Sequence, residues 1–323
     1  MKNPIFILGI HKSGTTLLRS LLDNHHNLFV LPIESHVFKH NGISILYPLR
    51  NFRGDILTSK QIITNYLTNL KYSKNLPKNF KGGDHKIDWN ISIIQKYLEK
   101  KITNKLVDSI KAFYSSLYYD LFNSELNEEK RVVEKSVEHL EFAIIIKNLF
   151  PTAKFIHISR NYYSNLVSIR KFMSVKKFPY LLKPLQCIAY DIHFKNLNKK
   201  ILGDDYHLVD YEYLLKNPKI EMKQIADFLD LMYESTLENP TTMGKIWRGN
   251  STNNIKYQGV SAKNINRWKK NITPLEIGLI NKYFYKYVKT IDSSLNSMRK
   301  IKNEKYSTFI KNRLLLKTNL FEI

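Results

Sequence analysis

A glycine-bounded turn near the start of the chain joins two apolar segments of different periodicity. Residues 5–8 are uniformly apolar, as expected for a buried strand, and the apolar residues after Thr15 have the spacing of a helix. Between them, Gly9 and Gly14 have the spacing of the phosphate-binding pattern G-x-x-x-x-G. Backbone N–H groups and the positive end of the helix dipole attract anions at such a turn. The segment therefore predicts a phosphate-binding loop between a buried strand and a helix.

The position of the lysine in this loop separates two kinds of nucleotide-binding enzyme. In loops that bind nucleoside triphosphates with magnesium, a lysine follows the second glycine. Here that position is Thr15, and the lysine lies inside the loop at Lys12. A lysine inside the loop, followed by Ser13, Gly14, Thr15 and Thr16, resembles the 5′-phosphosulfate loop of sulfotransferases. Those enzymes use 3′-phosphoadenosine-5′-phosphosulfate (PAPS) and need no magnesium, so the resemblance implies that these residues bind PAPS.

A second junction between a strand and a helix supports the same interpretation. Residues 154–159 are typical of a buried parallel strand, which ends at Arg160, and a helical pattern follows. Ser168 lies about two helical turns after Arg160, so both can face one anion at the carboxyl end of the sheet. In sulfotransferases an arginine and a serine with this spacing hold the 3′-phosphate of PAPS. An ATP-dependent kinase has no 3′-phosphate to bind.

Three further segments resemble the sulfotransferase family in the order in which the family has them. Residues 131–154 resemble a strand that ends in a lysine near the sulfonate, here Lys135, and is followed by a helix and another strand. Residues 209–231 resemble the segment whose first tyrosine, here Tyr211, lies against the adenine. Residues 266–276 resemble the family's Arg-Trp segment near its end. The order of the blocks makes the resemblance far more specific than any one of them.

The resemblance also implies a general base that takes the proton of the acceptor hydroxyl. In the glycan and tyrosylprotein members, a glutamate follows the loop helix at nearly the distance of Glu34, with a shift of one residue. The small-molecule branch instead has a histidine two residues after the strand-end lysine, where this chain has Val137. Glu34 is therefore the predicted base, and His36, Glu138 and His139 remain alternatives.

Two lysines are the predicted electrostatic catalysts. Sulfonyl transfer resembles phosphoryl transfer, an in-line displacement in which positioning and charge stabilisation do most of the catalysis. Lys12, with the N–H groups of residues 13–16, is expected to stabilise the leaving phosphate. Lys135 is expected to neutralise the sulfonate from another strand end.

A loop in the second half of the chain is a predicted lid. Residues 249–268 are rich in Asn, Ser and Gly, and long loops of this kind often close over a ligand. Ser251 and Thr252 resemble a Ser-Thr pair that reaches the sulfonate region in tyrosylprotein members, so Ser251 is a candidate catalytic residue. The candidates for a contact between this loop and the 3′-phosphate are Ser261, Lys263 and Arg267.

The net charge of +23 raises the alternative of a nucleic-acid-binding protein. Lysine supplies nearly all of this charge and is spread along the chain, without zinc-ligand spacing or a basic helix–turn–helix pattern. We therefore predict no nucleic-acid partner. A positive field of this kind also attracts a doubly phosphorylated nucleotide and an acidic acceptor.

Location is predicted from the start of the chain and from its cysteine content. The chain begins almost directly on its first strand, and no apolar run is long enough to span a membrane. Golgi members of the family carry an amino-terminal anchor, so the resemblance implies a cytoplasmic, bacterial enzyme. The single cysteine, Cys187, excludes an internal disulfide and lies in an apolar helical run, which predicts a core position.

The alternation of strands and helices predicts a three-layer α/β fold with a central parallel sheet. The predicted sulfotransferase domain is 1–298, with a helical insert at about 39–127 that shapes the acceptor pocket. The basic amphipathic tail 299–323 either folds back on the domain or makes peripheral membrane contact. The predicted strands are Ile5–Leu8, Leu28–Leu31, Arg131–Val133, Phe155–Ile158 and His207–Val209. The predicted helices are Thr15–Asp23, Gln61–Leu70, Trp89–Lys100, Leu106–Phe122, Glu138–Asn148, Asn161–Phe172, Tyr180–Lys199, Ile220–Leu229 and Leu275–Lys289.

Together these features predict a PAPS-dependent O-sulfotransferase of the glycan or tyrosylprotein type. The expected acceptor is a hydroxyl of a saccharide, a lipid-linked glycan or a small metabolite, and the nucleotide product is 3′,5′-adenosine bisphosphate (PAP). Two alternatives stay open: a P-loop kinase that uses ATP and magnesium, and a nucleotide-binding or nucleic-acid-associated protein without turnover.

Overall fold

Five parallel strands form the central sheet of the protein. The computed structural model describes residues 3–37, 59–75, 87–173, 181–251 and 255–284. The strands follow the order β2-β3-β1-β4-β5, and every neighbouring pair is parallel. Their bounds are β1 Ile5–Leu8, β2 Leu28–Val30, β3 Arg131–Lys135, β4 Lys154–Ser159 and β5 Tyr206–Asp210. The five strands predicted from the sequence are confirmed, with bounds that differ by one or two residues at an end.

Helices connect these strands and cover the sheet. Their bounds are α1 Thr15–Leu22, α2 Ser59–Asn75, α3 Ile91–Lys101, α4 Leu106–Phe122, α5 His139–Leu149, α6 Tyr162–Met173, α7 Leu182–Leu202, α8 Tyr211–Lys216, α9 Pro218–Phe228 and α10 Pro274–Phe284. A short antiparallel hairpin joins β6 Thr241–Thr242 to β7 Lys245–Ile246. The sequence analysis predicted neither α8 nor this hairpin. Helix α8 is short, and it begins where the Asp210 side chain accepts the N–H of Tyr213 at 2.9 Å.

The two faces of the sheet contribute to separate hydrophobic layers. Alternate residues of β1 point to opposite faces: Phe6 and Leu8 pack with the insert helices and α5, whereas Ile5 and Ile7 pack with α1 and α9. The strands are buried on both faces, as a parallel sheet between helical layers requires. The predicted three-layer α/β fold is confirmed.

The strand order determines which side chains can meet at the carboxyl edge. Strand β1 lies between β3 and β4, with Ile7 in register with both Lys135 and Ile156. The loop after β1 therefore emerges between the ends of β3 and β4. This edge is the usual ligand-binding edge of an open parallel sheet.

The sequence also predicts a cysteine in the core, no membrane-spanning segment and a basic tail. Cys187 is buried, as predicted. Within the residues that the structure describes, none of the helices is long and apolar enough to cross a membrane. The tail 299–323 and the end of the predicted helix Leu275–Lys289 lie outside the described residues, and so do parts of the insert.

Candidate active site

The loop after β1 is closely packed against its surroundings. Gly9 and Gly14 have φ angles of 146° and 113°, which side chains rarely adopt. A Cβ atom at Gly9 would lie 2.8 Å from the carbonyl oxygen of Ile158, and one at Gly14 would lie 2.4 Å from Cδ2 of Tyr211. Lys12 also has a positive φ of 63°, a strained conformation that is typical of functional sites when the surroundings hold it. Both glycines of the predicted pattern are therefore required by this geometry.

The N-terminus of α1 offers backbone donors to the space above the loop. The N-cap is Gly14, and no described side chain accepts a hydrogen bond there. The N–H of Leu18 bonds to the carbonyl of Gly14 at 3.0 Å, so the N–H groups before it have no partner within the helix. Ser13 differs from its neighbours, because its N–H donates to the carbonyl of Ile10 at 3.2 Å. The available donors are thus the N–H groups from Gly14 to Leu17.

A cavity of about 430 Å³ lies over this helix end. Seven of the eight predicted nucleotide-binding residues line it, and Ser13 lies outside the lining. The seven are Lys12, Gly14, Thr15, Thr16, Arg160, Ser168 and Tyr211. Ser251 of the predicted lid also lines the cavity, and the neighbouring Asn250 amide donates to the Thr16 hydroxyl at 3.5 Å. The structure therefore brings the loop, the Arg-Ser pair and the start of the lid together.

Several lining residues were missed by the sequence analysis. They include Trp247, Tyr257, Gly259, Asn264, Trp268 and Asn271. Two of the three lid candidates, Ser261 and Arg267, also line the cavity, whereas Lys263 lies outside the lining. The composition of 249–268 predicts a loop but gives no signal for which of its side chains turn inward.

Arg160 is prepared for an anionic ligand. Its Nη1 donates to the carbonyl of Lys12 at 3.0 Å, and its guanidinium lies 4.7 Å from the ring centre of Tyr211. The Nε atom is buried, lies 4.0 Å from Oε1 of Glu212 and makes no hydrogen bond among the described residues. A buried donor without a hydrogen bond is costly, and that cost falls when either Glu212 or an oxyanion in the cavity approaches it. This observation fits a phosphate beside Arg160 and Ser168.

Glu34 and Lys135 form an ion pair outside this lining. Lys135 ends β3 and is 3% exposed, and its Nζ contacts Oε1 of Glu34. Burial on its own raises the pKa of Glu34, but Lys135 and His36 outweigh it and lower the pKa to about 2. The predicted base and the predicted sulfonate-binding lysine are therefore brought together. In this arrangement Glu34 is ionised and is a weak base.

Lys12 connects the ion pair to the cavity. Its ammonium lies 4.6 Å from the ring centre of Phe172. Burial, followed by the charges of Lys135 and Arg160, lowers the pKa of Lys12 to about 8. Three cations thus converge at the loop, and an anion between them would relieve their repulsion.

Glu134 organises this region and was missed by the sequence analysis. Its buried Oε1 accepts the N–H of Ser35 at 3.0 Å, the Ser35 hydroxyl at 2.7 Å and the Ser136 hydroxyl at 2.6 Å. His139 Nε2 lies 2.6 Å from the other carboxylate oxygen. These contacts attach the Glu34 segment to β3. An acidic residue within the apolar strand Val132–Glu134 is the signal that could have indicated it.

The alternative bases divide into two groups. His139 contacts the structural carboxylate of Glu134. His36 lies beside Glu34, with its Nε2 3.6 Å from Oε2 of Glu34, and its Nδ1 is 2.8 Å from Oε1 of Glu138. Glu34 therefore has His36 as a neighbour, and Glu138 contacts His36, whereas His139 contacts Glu134.

In the described part of the chain, one group of histidine and acidic side chains has possible ligand atoms within 4.8 Å of one another, close enough to hold a metal ion. It comprises His25, His26 and Glu234. The Nε2 of His25 lies 2.9 Å from the carbonyl of Met232, and its Nδ1 accepts the N–H of Asn27 at 3.2 Å. Both ring nitrogens of His25 are thus used in hydrogen bonds, and the cluster does not fit a metal ion.

Comparisons with known proteins identify the class that this fold and site define. Residues 4–235 match the model described as "Sulfotransferase family". The chain therefore belongs to the sulfotransferase family, as its sequence resemblance predicted.

A relative and two solved structures extend this comparison. An uncharacterised protein of Aquifex aeolicus is 24% identical over 290 residues, which cover 85% of this chain and 32% of that protein. The chain thus spans about a third of that curated relative. The sulfotransferase domain of the Synechococcus PCC 7002 olefin synthase is similar in structure, with a TM-score of 0.53, 20% identity and coverage of 84% and 90% of the two chains. The sulfotransferase domain from the curacin biosynthetic pathway has a TM-score of 0.55, 19% identity and coverage of 85% and 93%. These similarities show the fold.

Proposed function

We propose that this protein transfers the sulfonate group of PAPS to a hydroxyl group of an acceptor. The supporting observation is one cavity in which two separate anion-binding sets meet: the uncapped start of α1 with Lys12, and Arg160 with Ser168. PAPS carries anionic groups on both its 5′ and 3′ sides, which is the distribution that these two sets fit. An ATP-dependent kinase is less consistent with the loop, because Thr15 occupies the position of the triphosphate-binding lysine.

Each set has a distinct role in the proposal. The N–H groups of Gly14 to Thr16 and the Lys12 ammonium bind the 5′-phosphate. Arg160, with its buried Nε, and Ser168 bind the 3′-phosphate. Tyr211 packs on Gly14 and under the Arg160 guanidinium, so it fixes the distance between the two sets.

In the proposed reaction, PAPS supplies a sulfonate attached to a phosphate leaving group. The acceptor oxygen forms a bond to sulfur while the bond between sulfur and the 5′-phosphate oxygen breaks, and Glu34 takes the hydroxyl proton. Lys12 and the α1 N–H groups stabilise charge on the departing phosphate. Lys135 stabilises charge on the sulfonate, and Ser251 contributes a hydroxyl from the lid.

The ion pair of Glu34 and Lys135 gives the donor a way to activate the base. With Lys135 in contact, the pKa of Glu34 is about 2, too low for efficient proton removal. A sulfonate that draws the Lys135 ammonium away leaves Glu34 with less positive charge around it, and its pKa rises. In this proposal, the strength of the base therefore depends on donor binding.

The acceptor in this proposal is a hydroxyl of a saccharide, a lipid-linked glycan or a small metabolite. The insert helices pack on the face of the sheet that carries Phe6 and Leu8, beside the β3 end that bears Lys135. A cytoplasmic location belongs to the same proposal, and the single buried Cys187 is compatible with a reducing compartment.

Thermal stabilisation by PAP tests the nucleotide assignment. At about 100 times its dissociation constant, a ligand adds about 2.7 kcal/mol to the free energy of unfolding. We expect a rise in Tm with PAP, a smaller rise with 5′-AMP and none with ATP–magnesium. Arg160→Ala should remove most of the difference between PAP and 5′-AMP, because that difference is the 3′-phosphate. A shift with ATP–magnesium and none with PAP would favour the kinase.

The pKa of Lys12 predicts how PAP binding depends on pH. The free protein holds this ammonium with a pKa of about 8, and a bound anion raises that value. Affinity is therefore expected to be constant between about pH 7, where the phosphates of PAP are fully ionised, and about pH 8, and to fall by up to about tenfold per pH unit above it. Calorimetric titration with PAP should show this decline, with proton uptake on binding above that pH. Lys12→Arg, which stays charged, should remove the decline; a decline that persists in this variant contradicts the assignment.

A further inference from the structure

A buried carboxylate near the end of β4 takes no part in the proposed catalytic steps. Asp191 lies on α7 and outside the lining of the nucleotide cavity. Its Oδ1 lies 3.0 Å from Nε2 of His157, and its Oδ2 accepts hydrogen bonds from the hydroxyl groups of Ser159 and Tyr162 at 3.3 and 3.2 Å. One carboxylate thus connects β4, α6 and α7.

These polar side chains occupy a face of the sheet that is otherwise apolar. Alternate residues of a strand point to the same face, so His157 and Ser159 share the face of Phe155, which packs with the insert helices and α5. His157 and Asp191 are buried, and Nδ1 of His157 lies 2.6 Å from the hydroxyl of Tyr206 on β5. Buried polar groups are costly unless they are paired, and an apolar pair of similar size is often at least as stable. Stability alone therefore does not account for this cluster.

The hydrogen bonds around Asp191 have a fixed direction. Burial on its own raises the pKa of Asp191, but the interactions with His157 and Lys195 outweigh it and lower the pKa. An ionised carboxylate only accepts hydrogen bonds, so the hydroxyl groups of Ser159 and Tyr162 donate to it, and so does Nε2 of His157. The ammonium of Lys195, one turn along α7 from Asp191, donates to the Tyr162 hydroxyl at 2.6 Å. The Tyr162 hydroxyl thus accepts one hydrogen bond and donates the other.

Two of these donors flank the residue that is proposed to bind the 3′-phosphate. Ser159 is the last residue of β4 and Tyr162 is the first of α6, and Arg160 lies in the turn between them. A common acceptor for Ser159 and Tyr162 sets the direction of α6 relative to the strand. Ser168 lies on the same helix, about two turns after Arg160. Asp191 therefore lies where it can fix the position of Arg160 and Ser168 relative to each other.

The other contacts of this turn do not connect the strand to the helix. The Asn161 side chain accepts the N–H groups of Tyr163 and Ser164 at 3.1 and 3.2 Å, and these contacts stay at the start of α6. Glu212, on α8, accepts the N–H of Asn161 at 3.1 Å. In the described part of the chain, Asp191 is the residue whose side chain accepts hydrogen bonds from both the end of β4 and the first residue of α6.

We propose that Asp191 is a positioning residue that holds Arg160 and Ser168 at the spacing of the 3′-phosphate, and so sets the preference of this protein for PAP over 5′-AMP. The inference rests on the proposed function of Arg160 and Ser168 in binding that phosphate. Asp191 contacts neither the nucleotide nor the reacting atoms and acts only through the turn between β4 and α6. A nucleotide with a 5′-phosphate alone binds at the start of α1 and is not affected.

The ratio of the affinities for PAP and 5′-AMP measures this preference, because the two nucleotides differ only in the 3′-phosphate. Calorimetric titration of the full chain gives both dissociation constants. Asp191→Asn keeps the size of the side chain and removes its charge. We expect the affinity for PAP to fall by about tenfold or more and the affinity for 5′-AMP to stay within about threefold. An equal fall for both nucleotides overturns the proposal.

An apolar pair separates positioning from stability. His157→Val combined with Asp191→Leu removes both buried polar groups together, so Tm should stay close to that of the parent. The hydroxyl groups of Ser159 and Tyr162 lose their common acceptor, and the preference for PAP should fall as in Asp191→Asn. A double variant with the parental Tm and the parental ratio of affinities overturns the proposal.

Two conservative variants complete the test. Tyr162→Phe keeps the ring and removes one of the two donors that flank Arg160, so it should lower the ratio by a smaller factor, and an unchanged ratio contradicts the proposal. Tyr190→Phe is the matched control. Tyr190 precedes Asp191 on α7 and donates to Glu141 at 2.6 Å, away from the turn, so its loss should lower Tm and leave the ratio unchanged. A lower ratio in Tyr190→Phe would mean that any weakening of α7 has this effect, and the specific role of Asp191 would be wrong.

Turnover gives a second measurement of the same role. The rate of PAP release from PAPS is followed with a panel of alcohols, phenols and sugars as hydroxyl acceptors. Asp191→Asn should raise KM for PAPS and keep kcat within about twofold of the parent, as expected for lost donor binding. A lower kcat with an unchanged KM contradicts the proposal.

The two proposals can fail separately. If the parent protein binds PAP no more tightly than 5′-AMP, or if Arg160→Ala keeps the difference, the 3′-phosphate assignment is wrong and the role of Asp191 falls with it. If Arg160→Ala removes the difference and the Asp191 variants keep it, only the positioning role is wrong.

Discussion

Glu34→Gln is expected to lower turnover at least about a hundredfold while PAP binding stays nearly unchanged. Glutamine has the size of glutamate but cannot take up the acceptor proton. Glu34 lies outside the lining of the nucleotide cavity, so the variant leaves the predicted phosphate contacts intact. The rate of PAP release from PAPS with the hydroxyl acceptor panel measures the loss, and the rise in Tm with PAP measures binding.

Two further variants make this result specific. Glu129→Gln changes an exposed glutamate just before the start of β3, whereas Lys135 ends that strand, and it should leave both readings unchanged. Lys135→Ala should also lower turnover by about a hundredfold to about a thousandfold, because it removes a charge from the sulfonate. The two variants affect the base differently. Glu34→Gln removes it, whereas Lys135→Ala leaves Glu34 in place with a higher pKa. Retention of turnover by Glu34→Gln would move the role of base to another group, with His36 as the nearest candidate.

The parts of the fold that could be predicted from the sequence are those with local causes. A buried parallel strand needs a short apolar run, and β1 and β4 have one, so their positions follow directly from the residues. The phosphate loop could also be predicted from local features: Gly9, Lys12 and Gly14 lie within six residues, between a buried strand and an apolar helix, in a pattern that resembles the family's loop. Helix α8 was not predicted, because it is only six residues long and begins at the N-cap residue Asp210 rather than at the start of a periodic apolar pattern.

The missed parts of the site depend on contacts between distant segments. Glu134 holds Ser35 across 99 residues of sequence, and Lys135 meets Glu34 across 101. The sequence suggested Glu34 and Lys135 but not their pairing, and it indicated neither Glu134 nor Ser35, because these pairings follow from the strand order β2-β3-β1. Resemblance to the family named Glu34 and Lys135 individually. Only the structure shows that they form an ion pair and that the ion pair weakens the base.

The residues that line the nucleotide cavity also divide into some that the sequence predicts and others that it does not. Lys12, Arg160 and Ser168 lie within single strand–helix junctions whose residues resemble those of the family. Trp247 and Tyr257, in contrast, line the cavity from a segment without regular secondary structure. Side-chain direction in such a segment is set by contacts with the rest of the protein, so composition predicts the loop but not its inner surface.

Gly14→Ala is expected to abolish detectable PAP binding and to lower Tm. The new methyl group would lie 2.4 Å from Cδ2 of Tyr211, in a backbone conformation with φ of 113° that alanine rarely adopts. Relief requires a shift of the loop, of Tyr211, or of both, and Tyr211 supports Arg160. Both anion-binding sets would therefore move together. The strained backbone alone costs about 1 to 3 kcal/mol.

Gly278→Ala is the matched control for this prediction. Gly278 lies within α10, and no described atom lies within 4 Å of the position that its Cβ would take. Alanine there should raise the free energy of unfolding by about 0.5 to 1 kcal/mol, because glycine is the poorer helix former, and PAP should bind as before.

The double variant Gly14→Ala with Tyr211→Ala separates the two causes of the loss. It removes the steric contact and keeps the backbone strain, so Tm should recover in part while PAP binding stays weak. Normal PAP affinity in Gly14→Ala would mean that the loop after β1 is not the phosphate-binding element, and the proposed location of the donor would be wrong.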